Sequence, residues 1–462
     1  MLDSVGNVKG SINSCPRNIL ISVVGVLILL LGMGITSIFT EGVINSVVNI
    51  VVLYVAILFV IKSTRIENLL DCEVVFFTLA FVTVFVLFNI WLGDTVIYKD
   101  YLYGHSSDLS GHYEHSLMFS EMSTIATRLK SGMTLNEATS GLPLNQYYNI
   151  FVYSSMMFLA GGINATNMCI WNAFHMLLCP IFMILILDKY GIEKSRHLRS
   201  AYYISLLQPL FLSFSMYNKV IIGEALVIMA LYIFISTYNN PQTNLICLPI
   251  YGYLFWTVRL QYIFVAGFLF VLCLVHNRTS KRVTIPAFAA IFVIALFSLR
   301  GFSHLYYDLN VGHYHEGHDL SLASFPARLV RSALPYFPLS NIFNDQYWYF
   351  NMFCVPQEIM NLTLWGLVYA SHGKLNLAYA RKTLRNPLVV AAILLLLGGT
   401  LSEMHTTYVS VGTVLLTSSL GNVSMRKFAA VFAMVFMAAV LLTCVYNVLG
   451  LAGTGIAGVD FS

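Results

Sequence analysis

The sequence predicts an all-α polytopic membrane protein of about thirteen transmembrane helices, forming a single integral membrane domain over residues 1–462. Three observations carry that prediction. Of 462 residues, 58% are hydrophobic and only 10% charged, whereas a soluble domain carries about 25% charged residues. Apolar blocks of 15 to 24 residues repeat from end to end and leave no room for a soluble domain of ordinary size. Mean hydropathy is +0.75. A soluble enzyme, a disordered chain, a collagen and a disulfide framework are excluded together. Net charge is only +4, from 25 Lys and Arg against 21 Asp and Glu. With no basic stripe, a nucleic-acid partner is excluded too. The eight cysteines form no CxxC pair and fall mostly inside or at the ends of apolar blocks, where Cys packs as a small hydrophobe.

Taken in order, the blocks place spans at 18–38, 44–61, 74–92, 165–187, 200–217, 221–237, 244–258, 260–276, 284–300, 356–372, 388–402, 406–422 and 428–448. The first follows Arg17, has no small-residue cleavage site and is succeeded by further spans, so it reads as an anchor rather than a signal peptide. Several blocks fall short of the ~20 residues that span a ~30 Å hydrocarbon core. Such helices need protein or a water-filled cavity beside them.

Loop charge orients the spans. With the N-terminus cytoplasmic, the inner segments collect Lys9, Arg17, Lys62, Arg65, Lys189, Lys194, Arg196, Arg199, Arg278, Lys281, Arg282, Lys374, Arg381, Lys382, Arg385, Arg426 and Lys427, which are 17 of the 25 basic residues. Counting 147–163 as a further span would put Lys189–Arg199 outside, so that segment reads as a helix dipping into the outer leaflet and returning.

Two long outer loops then remain, 93–146 (93–164 with the juxtamembrane helix) and 301–355, carrying short interfacial helices. They hold most of the histidines and a large share of the acidic residues, and are rich in aromatics rather than disorder-promoting types. The working chemistry is therefore expected at the extracytoplasmic membrane surface.

In the first loop, Ser107-Asp108-Leu109-Ser110-Gly111-His112-Tyr113-Glu114-His115 is the most polar short run beside the membrane. If Asp108 caps a helix, it and His112 share one face near its N-terminus. One reading is a carboxylate general base oriented by a histidine; the other is a helix cap followed by a wetted interfacial helix. His112 and His115 could also ligate a metal. Beyond this run come Pro143-Leu144-Asn145-Gln146-Tyr147-Tyr148, an apolar dip ending at Ala160-Gly161-Gly162-Ile163-Asn164, and a span with a basic cytoplasmic end.

This order of an acidic first outer loop, Tyr-containing helix, dip and basic-ended span, over roughly residues 90–280, resembles the GT-C superfamily of polytopic glycosyltransferases. That superfamily includes polymerase-like proteins of bacterial capsule and O-antigen assembly. Two departures are visible: three spans precede the loop where many members have one, and no second acidic residue stands beside Asp108. The resemblance implies transfer of a sugar from a polyprenyl phosphate or pyrophosphate carrier to a glycan acceptor on the outer face, in a bacterial inner membrane, with the active site periplasmic. It implies that Asp108 acts as base on the acceptor hydroxyl or helps place a metal, and that a basic residue at an outer turn serves the carrier.

Arg259, between two short apolar blocks, is the best candidate for the carrier phosphate, because a guanidinium presents a planar fork of donors. The alternative is snorkelling to the interface. Lys219 and Glu224 are read at the outer end of the neighbouring span, as a carrier contact and an acceptor contact, or as a simple ion pair. In the second loop, His313, His315 and His318 form a HxHxxHD run with Asp319, suited to contact a glycan or pyrophosphate. Arg328 and Arg331, three apart, could clamp a second phosphate on one helical face. Glu403 and His405 belong to the last outer turn, either as cavity wall or as a plain polar turn. No cofactor follows from the sequence; a divalent metal stays open, with these histidines as its ligands. His175, inside a span, reads as a packing residue.

A glycosyltransferase, adding single sugars or polymerising repeat units, competes with a transporter or flippase of a lipid-linked or small polar solute. A transporter needs ionisable residues at mid-span depth. The sequence puts its charges at span ends and in outer loops, which favours surface chemistry.

Overall fold

A computed structural model describes residues 14–40, 42–66, 72–93, 165–189, 219–258, 262–291 and 425–448, with short stretches inside 125–138 and 359–367 and at 293. Among the described residues, eight helices have both ends defined: α1 (Ser14–Phe39), α2 (Gly42–Thr64), α3 (Cys72–Gly93), α4 (Ala165–Lys189), α5 (Lys219–Thr237), α6 (Pro241–Val258), α7 (Tyr262–His276) and α8 (Met425–Val448). Among the described residues there is no strand. Each helix overlays one of the apolar blocks to within a few residues at its ends. At the start of α1, the Arg17 guanidinium donates to Ser63 O at 3.4 Å. The blocks at 200–217, 388–402 and 406–422 lie outside the described residues, as does the dip at 147–163.

Among the described residues, three helical stretches are long and apolar enough to cross a membrane: Pro16–Phe39, Ile44–Thr64 and Ile170–Lys189. Their surroundings differ. Along α1, Leu20, Leu27, Leu31 and Ile35 point outward, and along α2 so do Ile44, Val47, Val51 and Val55, at helical spacing. In water such stripes would be an aggregation surface; against lipid they lose nothing, and the protein is a membrane-embedded helical chain. The best window of α4 is instead wholly buried, so this helix is an interior one, apolar all round because protein surrounds it.

Contacts divide the chain into two compact units. The first spans Asn7–Ser236 with Tyr253–Leu260. In it α1 and α2 form an antiparallel hairpin. At one end Asn49 Nδ2 donates to Asn45 Oδ1 at 2.8 Å, and the Thr36 hydroxyl donates to Asn49 Oδ1. Asn45 Nδ2 reaches Thr40 Oγ1 at 3.2 Å. Buried amides in a membrane find partners in a neighbouring helix, at about 0.6 kcal/mol per interhelical bond. At the other end Asn18 Nδ2 donates to the Tyr232 hydroxyl of α5 at 2.8 Å. Lys189 Nζ, at the last residue of α4, donates to Ser236 Oγ at 2.6 Å and lies 5.0 Å from the Tyr232 ring centre. Phe182 and Tyr232 meet edge to face at 5.3 Å.

Those contacts run in the same order along both helices, so α4 and α5 are parallel. The N-terminus of α1 and the C-termini of α2, α4 and α5 share one end of this unit, which therefore gathers Arg17, Lys62, Arg65 and Lys189. The end of α3 and the start of α4 lie at the opposite end.

The second unit comprises Met1–Gly6, Thr237–Gly252 and Gln261–Ser462. Here Tyr251 donates to Asn244 Oδ1 at 2.9 Å, and Asn244 Nδ2 donates to Thr237 Oγ1 at 2.9 Å. Asn277 Nδ2 closes the Tyr238 carbonyl at 2.7 Å, while the His276 ring stands 4.4 Å from that of Tyr238. This polar knot pins the turn before α6 to the end of α7, next to Arg278, Lys281 and Arg282.

Candidate functional site

Most candidate residues, namely Asp108, His112, Glu114, His115, Arg259, His313, His315, His318, Arg328, Arg331, Glu403 and His405, lie outside the described residues. What the structure defines is the framework that carries the first outer loop, a folded piece of that loop, and the position of Lys219 and Glu224.

The framework brings both anchors of the 93–164 segment, Gly93 and Ala165, to the end of the first unit opposite the Arg17, Lys62, Arg65 and Lys189 cluster. The folded piece lies at 125–138. A helical turn through Arg128–Lys130 stops at Gly132, whose φ of +87° suits a residue without Cβ. Gly132 N–H donates to Leu129 O at 3.0 Å and Met133 N–H to Arg128 O at 3.2 Å, the paired bonds of a Schellman stop. The next helix starts at once. Thr134 N–H and its hydroxyl each donate to Glu137 Oε2 at 2.8 Å, and Glu137 N–H returns to Thr134 Oγ1 at 3.4 Å, a capping box. Arg128 fastens the two pieces by donating to Ala138 O at 3.1 Å.

The sequence reading passed over this element, although Gly132 followed by Thr-x-x-Glu is its signature. The Thr134 hydroxyl and N–H hold the Glu137 carboxyl below the usual glutamate range. Because the carboxyl is stabilised as the anion, its contribution to the cap is complete above the ordinary glutamate value and fades as pH falls through the lowered one. A 13C NMR titration of Glu137 should show that depressed midpoint, and Thr134→Val, which removes the hydroxyl but keeps the N–H, should raise it part of the way to the ordinary range. An ordinary midpoint in the parent protein would rule out the box.

Glu224 is a buried residue of α5. It is read from sequence at an outer span end as an acceptor contact, but α5 begins at Lys219, and Glu224 is 2% exposed. Its Oε2 accepts no hydrogen bond. α5 runs beside α4, where Phe182 meets Tyr232 edge to face at 5.3 Å, and on α4 Cys179 is buried. One turn away, His175 is 1% exposed. Its Nδ1 bonds the Trp171 carbonyl at 2.9 Å, and its ring stands 4.3 Å from the indole. That agrees with a packing histidine. On the same helix the Asn172 side chain is 3% exposed, and its Oδ1 also lacks a donor. Among the described residues no group of three or more His, Cys, Asp and Glu is arranged to hold a metal ion. No protein-family model, curated protein or solved structure matches the chain.

Proposed function

We propose that this membrane protein is a glycosyltransferase of GT-C type, transferring sugar or oligosaccharide units from a polyprenyl phosphate or pyrophosphate carrier to a glycan acceptor on the extracytoplasmic face. Its setting would be envelope polysaccharide assembly, such as O-antigen, in a bacterial inner membrane. The observation that supports it is the polarity of the first unit. Arg17, Lys62, Arg65 and Lys189 share one end, and the segment rich in Asp108, His112, Glu114 and His115 departs from the other. Positively charged ends stay cytoplasmic, so that segment belongs to the outer surface, where a lipid-anchored donor presents its head group.

In this reading Asp108 takes the proton of the attacking acceptor hydroxyl and His112 orients the carboxylate. Arg259 stabilises the charge that develops on the departing carrier phosphate, with Lys219, Arg328 and Arg331 as further phosphate contacts. Glu114, His115, His313, His315, His318, Glu403 and His405 supply hydrogen bonds to sugar hydroxyls.

The topology is tested by Ser110→Cys and Leu320→Cys. Both should react with a membrane-impermeant thiol reagent in intact cells, and protection of both would overturn the outward placement. The activity is tested by a surface-glycan ladder in cells carrying Asp108→Asn or Arg259→Ala. Loss of the ladder with a single-repeat product retained would mark repeat-unit polymerisation; loss of all product would mark single-sugar transfer.

One observation favours the second reading, a transporter or flippase: Glu224 and His175 are ionisable and lie inside the bundle. Intramembrane ionisable groups often mark ion or substrate paths. Uptake or flipping of a labelled substrate by proteoliposomes, without any new glycosidic bond, would select it.

A further inference from the structure

We propose that the basic end of the first unit binds an anionic phospholipid, with Arg17 of α1 and Lys62 and Arg65 of α2 on its phosphate and the outward faces of both helices along its acyl chains. Contacts at the end of the hairpin hold these cations together. The Arg17 guanidinium donates to Ser63 O at 3.4 Å, and Ser63 is the neighbour of Lys62. Arg65 follows in the left-handed conformation, with a φ of 59°. Its N–H donates to Lys62 O at 3.1 Å, so Lys62, Ser63 and Arg65 make one turn. All three cations are exposed.

Lys189 backs this cluster from inside the bundle. Asn18, the neighbour of Arg17, donates to the Tyr232 hydroxyl at 2.8 Å, and Lys189 Nζ stands 5.0 Å from the centre of the same ring. Its bond to Ser236 Oγ at 2.6 Å keeps it there. Against these four cations, the described acidic residues of this end are Glu73, in the first turn of α3, and Asp188. The balance stays positive, and an anion is the complementary ligand.

The outward apolar stripes select a lipid over a free phosphate. Arg17 stands three residues before Leu20, and Leu20, Leu27 and Leu31 point outward from α1, so the guanidinium caps that stripe. Lys62 stands seven residues after Val55 and caps the stripe of Val47, Val51 and Val55 on α2 in the same way. α4 packs on a different side of the hairpin, where Gly25 faces both Val60 and Phe174. Each stripe therefore stays open to an acyl chain and ends at a cation. A guanidinium and an ammonium placed there match a phosphodiester at the head-group level. The site depends neither on the glycosyltransferase reading nor on which leaflet the basic end occupies.

The test uses the full-length protein in detergent with added phosphatidylglycerol or phosphatidylcholine, read by native mass spectrometry. The unaltered protein should retain phosphatidylglycerol at concentrations where phosphatidylcholine is lost. Arg17→Gln and Lys62→Gln should each weaken that retention about fivefold, as expected for one cation at a lipid surface. Combining both with Arg65→Gln should bring phosphatidylglycerol down to the phosphatidylcholine level. Lys281→Gln with Arg282→Gln removes two exposed cations of the second unit and should leave retention unchanged. Equal retention of the two lipids by the unaltered protein would overturn the site, in a measurement that needs no variant to fold. An equal loss in the Lys281 and Arg282 control would overturn it too, because net charge alone would then attract the lipid. So would displacement of phosphatidylglycerol by inorganic phosphate at equal concentration, since the stripes would then contribute nothing.

Discussion

Asp108→Asn should lower transfer to surface glycan by about 10²–10⁴, the span that positioned general bases contribute, with the protein still inserted at normal abundance. The choice of asparagine matters. Asp108 has a competing role as a helix cap, and Asn caps a helix about as well as Asp. The substitution therefore removes the proton acceptor and leaves the cap, so a loss of ladder points to base chemistry. Wild-type glycan from correctly inserted Asp108→Asn protein would remove Asp108 from the mechanism. Arg259→Ala is expected to act less steeply. A hydrogen bond to a charged group is worth about 1.5–3 kcal/mol, or roughly 10- to 150-fold in rate for each bond to the carrier phosphate. Arg259→Lys should recover only part of this, since an ammonium lacks the planar fork. If snorkelling were the whole role of Arg259, Lys would recover all of it.

The parts of the fold that sequence made legible are those governed by composition along a single segment. A run such as Val55–Ile61 is apolar on every side, and the hydrocarbon environment demands little else of it, so the spans of α1, α2 and α4 emerge from hydropathy alone. The clustering of charge was legible for a related reason: basic residues mark span ends, and the contacts from Arg17 to Ser63 and Lys189 to Ser236 bring such ends together. Burial of a particular side chain was not legible. Glu224 stands five residues after the start of α5, where position along the chain fits an outer turn equally well. Its burial depends on which face meets α4, a matter of three-dimensional register. The Thr134–Glu137 box was readable but short, four residues within a long polar loop whose acidic and histidine-rich run drew attention elsewhere. Nor could sequence tell α4, enclosed by protein, from α1 and α2, which turn apolar stripes to lipid, because all three are apolar all round.

Gly25 is a position where a small change should cost much stability. A Cβ placed there would stand 2.6 Å from Val60 Cγ2 and 3.2 Å from Phe174 Cζ, so the residue sits where α1 meets both α2 and α4. Helices in a membrane gain no hydrophobic advantage from each other over lipid; close backbone approach and dispersion hold them together. Gly25→Leu should therefore force α1 off its neighbours and cost about 1–3 kcal/mol or more, as overpacking does, measured by equilibrium unfolding in mixed micelles. Gly25→Ala isolates the first methyl. Ala gains helix propensity over Gly by about 1 kcal/mol, so a net loss in this variant would report the clash with Val60 directly. Val60→Ala removes the obstructing Cγ2, and Gly25→Ala with Val60→Ala should be more stable than the two single changes sum to, by about 0.5–3 kcal/mol. Gly252 supplies the contrast: a Cβ there meets only Ala266 Cβ at 3.8 Å, an ordinary contact, and Gly252→Ala should be neutral or stabilising. Strict additivity of the Gly25 and Val60 changes would mean that α1 and α2 do not meet through this glycine, and the hairpin would then owe its closeness to the Gly32–Val52 approach and the Asn45 and Asn49 bonds.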